Sequence, residues 1–565
     1  PAAASLCDAA AAIHCISRGH SMTLRLDRRR LVMGGGLGLA ALALPGGAPL
    51  AQQLLGASGF THGVASGEPG PDSMLLWSRY ALSGGADEVR LDAEIALDPD
   101  FRQVAARGVV RTGPWRDWTA KITLDGLNPG TTYWYRFIGP DGSMSQTGRA
   151  RTLPVGPTER FRIGLFSCSN LPMGWFNAYT HAAARDDVDL WLHVGDYVYE
   201  YGIGSYAADD RIAERVVLPA HDHEMAALAD YRLRFACYRA DPDLQALHAA
   251  AAMVCVWDDH ESTNDSWEGG AQNHQPATEG DWSTRRAAAV QAYLEWMPIS
   301  EEPWKSYPIG DLATLYRTES RLIGRTRQAD IGAAYREGTQ AALAAFRDGV
   351  WQDASATMLG STQEAWLARE LRINARNTGW QVVGMGTIMG RTVMPQDAVS
   401  WLRPDLSEGA VRSFVNATRA GRVGLPMWMD RWDGYPAARS RFLRAAQAAD
   451  ADLVLLAGDS HNAWAYSLSE DGRPAGVEFA GQAVTSNGIE KQLGVAPSIA
   501  ARSFVAANPE MNWAQASGRG YMMIDITPER VDGEWIFMET IKARSAAVAG
   551  VHRMAVEKGR RRFLV

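Results

Sequence analysis

Four apolar runs, far apart in the chain, each break off in residues that bind metals or protons. Leu190-Trp191-Leu192-His193-Val194 leads into Gly195-Asp196-Tyr197-Val198-Tyr199-Glu200, and Leu453-Val454-Leu455-Leu456-Ala457 leads into Gly458-Asp459-Ser460-His461-Asn462. Val254-Cys255-Val256 runs into Trp257-Asp258-Asp259-His260-Glu261, with Asn264-Asp265 close behind, and Phe161-Arg162-Ile163-Gly164-Leu165-Phe166 ends at Ser167-Cys168-Ser169-Asn170. Short continuous apolar runs of this kind read as strands buried on both faces. In a parallel α/β sheet, ligands gather at the carboxyl ends of the strands. The four ends therefore predict one shared site.

The pattern around them divides the chain. Over residues 60–152 it is β: 89–96 alternates apolar and polar, and 118–124 and 132–137 flank the turn Asn128-Pro129-Gly130. Short strands at this spacing predict a small all-β immunoglobulin- or fibronectin-like sandwich over 52–153, with no chemical constellation inside it. Pro154-Val155-Gly156-Pro157 reads as a linker. Beyond it, strands alternate with helical stretches at 176–185, 223–234, 283–295 and 361–374, which predicts a layered α/β domain over 154–565. Residues 318–357 read as mostly helical, a cap over the site; 534–538 reads as a late strand and 558–562 as a solvated basic tail. No fixed-period repeat occurs, which argues against a solenoid or propeller.

Residues 1–51 read as targeting rather than fold. Met22 is followed by Leu26-Asp27-Arg28-Arg29-Arg30-Leu31, whose adjacent arginines suit a twin-arginine signal. The Gly- and Ala-rich segment 33–44 that follows is too short for a stable membrane anchor. The expectation is export by the twin-arginine machinery, cleavage near Ala51, a periplasmic or secreted location, and a natural start after residue 21. A net charge of −8 with no basic stripe argues against nucleic acid as a partner. Of five cysteines, Cys7 and Cys15 precede the signal, leaving Cys168, Cys237 and Cys255, too few and too odd a set for a disulfide framework. Cys255 lies inside an apolar run as core filler, whereas Cys168 ends its strand as a candidate thiolate.

The donor types at the four ends favour a multinuclear site over a structural zinc, which would want four Cys or His ligands. Asp can bridge two cations, a Tyr phenolate prefers a hard trivalent ion, Asn offers a neutral carbonyl and His a nitrogen. Such a site suits hydrolysis of phosphoesters, because two cations can hold a phosphoryl oxygen and activate a water together.

The run of Gly-Asp-x-x-Tyr with a downstream Asn and a later His looks like that of the dinuclear metallophosphoesterases. Taken with the twin arginines, 60–68, Leu76-Trp77-Ser78-Arg79, Asp430-Arg431-Trp432-Asp433-Gly434-Tyr435-Pro436 and the four strand ends, the sequence resembles the alkaline phosphatase D (PhoD-like) family. That resemblance implies a metallophosphatase-type α/β/α sandwich preceded by a β domain, and a ferric ion (Fe3+) with calcium (Ca2+) nearby. By the resemblance, Cys168, Asp196 and Tyr199 would bind iron, while Asp196, Asn264, Asp459 and His461 would complete the cluster. Which ion Asp459 or His461 meets stays open. Arg285 resembles the family's phosphate-clamping arginine, with Arg286 the adjacent alternative. His260 would either protonate the leaving group or orient Asp259 or Asn264, and the second role is favoured. Where the family commonly shows Leu-Asp-Thr-Arg, this chain has Thr318-Glu319-Ser320-Arg321, and the longer Glu319 is expected to reshape the outer wall of the site.

The function expected is cleavage of small phosphomonoesters or phosphodiesters by in-line attack of a metal-activated water, with Arg285 sharing the phosphoryl charge and no covalent intermediate. Ser167, Ser169 and Ser460 lack the Gly-x-Ser-x-Gly elbow of a serine hydrolase. The competing readings are a phospholipase D-like phosphodiesterase and a secreted calcium-binding adhesion protein. Tyr199 and Cys168 count against the latter, since calcium takes hard oxygen ligands.

Overall fold

The computed structural model of the protein describes residues 58–82, 87–206 and 208–564. The targeting segment, Cys7 and Cys15 lie outside them. Two large sheets stack face to face. From edge to edge, the nine-stranded sheet runs Val548–Glu557, Arg530–Met538, Gly520–Ile526, Phe161–Phe166, Leu190–Val194, Met253–Val256, Gly59–Gly67, Ser73–Ala81 and Thr119–Asp125. The seven-stranded sheet runs Lys305–Ile309, Ala313–Arg317, Trp380–Met385, Leu453–Ala457, Arg473–Ala480, Ala463–Glu470 and Met511–Gln515. The strands singled out by their apolar runs are the central, parallel ones, and every residue of Leu190–Val194, Met253–Val256 and Leu453–Ala457 is buried.

Apolar side chains between the sheets form one continuous core, with Leu165, Leu192 and Val254 facing Leu315, Val382, Leu456 and Phe479. The outer faces are covered by helices. Asn177–Ala183, Leu228–Arg239, Pro242–Ala250 and Trp282–Trp296 cover the larger sheet, and Gly360–Asn374, Glu408–Gly421, Pro436–Ala448 and Pro497–Ala507 cover the smaller. The β layer of the α/β/α sandwich is therefore double. Pairing of Phe166 and Cys255 with His193 brings three strands to the same level at their carboxyl ends. Opposite them, Met385, Ala457 and Ala480 are in register. The sheets close on each other there: a Cβ on Gly458 would lie 2.5 Å from the Cβ of Ser167.

The N-terminal strands make an all-β layer pair. A four-stranded sheet (Val104–Thr112, Val89–Ala96, Thr132–Ile138, Gly148–Arg151) packs on Gly59–Gly67, Ser73–Ala81 and Thr119–Asp125. These three strands also extend the nine-stranded sheet, through the parallel pairing of Gly67 with Met253. The strands at 118–124 and 132–137 therefore fall in different sheets.

Three local expectations change. Helix Leu228–Arg239 starts five residues later than its polarity pattern suggests, after Asp230 accepts hydrogen bonds from the Ala226 and Ala227 N–H groups. Only Gly332–Glu337 and Gln340–Asp348 are α-helical within 318–357, because 318–331 is a loop held from inside by the Glu319 carboxylate. The tail is tied down: Lys558 pairs with Asp452 at 2.9 Å, Arg561 with Asp450 at 2.6 Å, and buried Phe563 packs edge-on against Phe479 with ring centroids 4.9 Å apart.

The two kinds of tail contact differ in weight. Phe563→Ala should lower unfolding free energy by about 3 kcal/mol or more, as emptied aromatic core positions do. Arg561→Ala removes a pair with the exposed Asp450 and leaves Asp452 its shorter pair with Lys558, so it should cost less than about 1 kcal/mol. Denaturant titration of the two variants checks the order.

Candidate metal centre

Cys168, Asp196, Asp459 and His461 all leave their strands with left-handed backbones, at φ 58°, 55°, 66° and 61°. Each such residue costs on the order of 1–3 kcal/mol of local strain and persists only where the surroundings impose it. Four of them at one end of two sheets turn the side chains out of the strand direction toward one another. Gly195, at φ 103°, completes the turn before Asp196, and a Cβ there would lie 2.4 Å from that of Asp258.

Single ligand atoms of Cys168, Asp196 and His461 lie within 4.8 Å of one another, and so do those of Asp196, Asp259 and His260. Asp196 is common to both groups. Tyr199 joins through its hydroxyl, which donates to Asp196 Oδ2 at 2.9 Å and lies 3.2 Å from His461 Nε2. Ser486 Oγ lies 2.7 Å from the Tyr199 oxygen and 3.0 Å from the Cys168 carbonyl, so its one proton ties the phenol to the thiol's own backbone. Asp459 sits to one side, where Thr387 Oγ1 donates to its Oδ2 at 2.7 Å and Arg431 Nε stands 3.4 Å away.

Burial raises the pKa of the Asp196 carboxyl, the Cys168 thiol and the Tyr199 phenol well above their ordinary values. Asp196 adds to the rise at Cys168 and Tyr199, and Asp459 to that at Cys168. His461 is pushed down to about 4 by burial and is neutral, able to offer a lone pair. Asp196 Oδ1 is buried with no hydrogen-bond partner. A thiol and a phenol whose ionisation the Asp196 carboxyl opposes, beside a neutral imidazole and an unpartnered carboxyl oxygen, fit bound cations, which would favour all three anions at once.

The other predicted residues fall at the edges. His260 Nδ1 lies 2.7 Å from Glu200 Oε2, so its partner is Glu200 rather than Asp259 or Asn264. Burial opposes the charge on His260, but Glu200, Asp259 and Asp196 together raise its pKa well above the usual range. Fully buried Glu200 also accepts from the Asn264 N–H at 2.9 Å and from Asn273 Nδ2 at 3.1 Å. The Asn264 side chain donates to Gln272 Oε1 at 3.0 Å. Arg285 is held by acids: its Nη2 donates to Glu224 at 2.6 Å and its Nη1 to Glu279 at 2.7 Å. Arg286 instead donates to the Glu268 and Leu322 carbonyls.

Glu319 does not form the outer wall. Its carboxylate is buried and accepts from Trp257 Nε1 and from the N–H groups of Arg321, Leu322 and Ile323, so it shapes the loop that carries Arg321. Arg321 grips Asp258 with two nitrogens, at 2.6 and 3.0 Å, and Asp430 with a third at 2.6 Å. Arg325 pairs with Asp430 as well. These arginines bring positive charge to Asp430 and, from 4.0 Å, to Asp259, two of the three acids in the group formed by Asp259, Asp265 and Asp430. Glu261 accepts from the N–H groups of Asp196, Tyr197 and Asp258 and so fixes the turn that presents Asp196. Sequence reasoning missed Glu200 and Ser486, though Glu200 directly follows Tyr199.

Stacked sheets between helices, with such donors at the strand ends, define a metallophosphatase-type protein. Residues 163–535 match the PhoD-like phosphatase family and residues 47–154 match the PhoD-like phosphatase N-terminal domain. Alkaline phosphatase D of Bacillus subtilis is 30% identical over 557 residues, spanning 93% of this chain and 86% of that protein. The solved structure of PhoD superposes with a TM-score of 0.71 at 27% identity, covering 90% of this chain and 92% of that one. A purple acid phosphatase from yellow lupin seeds shares the fold, with a TM-score of 0.51 at 11% identity over 88% of this chain and 74% of its own. The chain belongs to the PhoD-like phosphatase family.

Arg321→Met would leave the buried Asp258 carboxylate without its partner. Breaking a buried pair from one side costs roughly 3–5 kcal/mol, so this variant should be destabilised by that order in denaturant titration of metal-free protein. A loss below about 1 kcal/mol would show that Asp258 is neutral without Arg321.

Proposed function

We propose that the chain is an exported phosphoester hydrolase that works with iron and calcium at the Asp196 centre. The observation that carries this is the sharing of Asp196 by two ligand groups while its Oδ1 remains unpartnered. In this reading Cys168, Asp196 and Tyr199 would hold a ferric ion, since thiolate and phenolate suit a trivalent ion, and Asp196, Asn264, Asp459 and His461 would serve calcium with mostly oxygen donors. Bound there, cations supply Lewis acidity that holds phosphoryl oxygens and makes water a better nucleophile.

The protein's own groups do the rest. With Nδ1 held by Glu200, His260 has Nε2 left to deliver a proton to the departing ester oxygen, and the surrounding carboxylates keep that proton on the ring until it is needed. Arg285 reaches phosphoryl oxygens by exchanging Glu224 or Glu279 for them, a fork-to-oxyanion trade its planar guanidinium suits. Export rests on the Arg28-Arg29-Arg30 signature, and among the described residues no helix is long and apolar enough to cross a membrane.

Elemental analysis of the purified protein should find iron and calcium, with a broad visible band from phenolate-to-iron charge transfer. Zinc alone without that band would overturn the ligand assignment of Tyr199. Asp196→Asn should lose metal and activity together, by more than the roughly 10–100-fold typical of residues that only support a ligand. Chromogenic monoester and diester substrates, compared by kcat/KM, separate phosphatase from phosphodiesterase action.

A further inference from the structure

At the pole of the larger sheet opposite the metal centre, a cavity of about 320 Å³ opens where the N-terminal strands meet the α/β layers. Its walls come from both sides of that seam. Strand Gly148–Arg151 contributes Arg149 and Arg151, which lie two residues apart and so share one face. Arg160 and Arg162 stand at the amino end of strand Phe161–Phe166, and residues 186–189 lead into strand Leu190–Val194. The end of helix Pro242–Ala250 adds Ala250 and Ala251. Asp189 and Asp196 are seven residues apart at the two ends of one strand, which puts the cavity roughly 20 Å from the metal centre.

Most of the acids here are already engaged. Asp187 accepts from Arg185 through both oxygens and from Arg162 at 2.5 Å. Asp189 takes Arg151 on one oxygen and the Arg162 backbone N–H on the other. Asp525, paired across the strands with Arg162, takes Arg160 on both oxygens and Arg162 on one. Asp186 is the exposed acid of the lining. Five arginines thus stand against four aspartates, an excess of positive charge. That excess has a place. Among the described residues Arg149 has no carboxylate partner; its Nε donates to the Ala250 carbonyl at 3.1 Å, and both its Nη groups are left without a protein acceptor. Arg151 Nε is likewise held by a carbonyl, that of Gly130 at 3.2 Å, and its Nη2 is uncommitted. Both guanidinium planes are fixed through Nε before a ligand arrives, which lowers the ordering cost of binding.

The rest of the lining is in part apolar, with Val188 and Ala251 buried. We propose that this cavity is a second, non-catalytic site that binds a small organic phosphate, its phosphoryl group on the Arg149 and Arg151 forks and its apolar remainder against Val188 and Ala251. A phosphoryl group brings three oxygens to the three spare Nη groups, where a carboxylate brings two. The volume is that of pockets that take small organic molecules, roughly 300 Å³ and upward, so a bare phosphate ion would leave much of it to water. Because the two arginines belong to the N-terminal strands and Val188 to the α/β layers, the ligand ties the two parts together across their seam.

Crystals of the full chain soaked in phenylphosphonate, which keeps the phosphoryl head on an apolar ring and resists hydrolysis, should show its density with the head on Arg149 and Arg151. In calorimetric titration, phenylphosphonate should give a binding event that Arg149→Gln weakens by about tenfold or more, the worth of one hydrogen bond to a charged group. Benzoate, one oxygen short, and inorganic phosphate, without the ring, should each bind that site more weakly. The same variant should keep the wild-type kcat and KM for a chromogenic monoester, which separates this site from the metal centre. An empty cavity in the soaked crystals, with a titration that Arg149→Gln leaves unchanged, would overturn the proposal, and so would inorganic phosphate or benzoate binding there as tightly as phenylphosphonate. If Arg149→Gln does not fold, the soaked crystals and the comparison of the three probes on the wild-type chain still decide it.

Discussion

Acid groups packed where water cannot reach them set the terms for the centre of this protein. Asp196, Cys168 and Tyr199 lie within hydrogen-bonding or ligand distance of one another through a shared set of contacts, and the charge of any one makes the next harder to ionise. Such a cluster is tolerable only when positive charge is brought to it. The fold does this in two ways on its two sides. At Asp258 and Asp430 it supplies arginines from a loop, fixed from within by Glu319. At Asp196 it supplies no arginine among the described residues, only the His260 imidazole, and leaves one oxygen without a hydrogen bond. The left-handed turns at Cys168, Asp196, Asp459 and His461 follow from the same demand, because an ordinary strand end would carry those side chains apart on alternate faces.

How much of this the sequence discloses depends on the range of the contact. Apolar runs ending in Gly-Asp located the central parallel strands and their common edge, because burial on both faces is written in consecutive residues. Gly360–Asn374 and Trp282–Trp296 were legible to within a residue or so, since a helix keeps its periodicity locally. What remained hidden is long-range. Nothing near Arg321 announces that it will meet Asp258 and Asp430, 63 and 109 residues away. Glu319 looked like a wall because its length was visible and its four inward donors were not. The joining of Gly67 to Met253, which carries the β-sandwich strands onto the larger sheet, has no local sign at all.

Glu200 shows the same limit at a single residue. It follows Tyr199 directly, so its neighbourhood to the site was plain, but its task depends on residues 60 or more positions later. One carboxylate oxygen meets His260 and the other takes the Asn264 N–H and the Asn273 amide. Two residues that the family resemblance treats separately are thereby positioned by one group. The burial of Glu200 matters as much as its contacts: a carboxylate that meets His260, Thr263, Asn264 and Asn273 cannot swing away without breaking four hydrogen bonds.

The two buried arginines of the site differ in a way that assigns them different work. Arg321 binds Asp258 bidentately, both side chains are almost wholly inaccessible, and the loop behind it is locked by Glu319. Releasing it would strand a carboxylate in the interior, so it belongs to the frame. Arg285 is equally buried, but its acids are not: the side chains of Glu224 and Glu279 are 25% and 13% exposed. Burial and the nearby Glu200 push the Glu224 carboxyl up to about 7 despite the arginine beside it. Around neutral pH that partner is close to giving up its charge, which lowers the cost of exchanging it for a phosphoryl oxygen. With Glu224 partly exposed and near half-neutral, Arg285 has a partner it can exchange in the clamping role proposed for it, whereas Arg321, gripped bidentately by the sealed Asp258, holds the shape of the site.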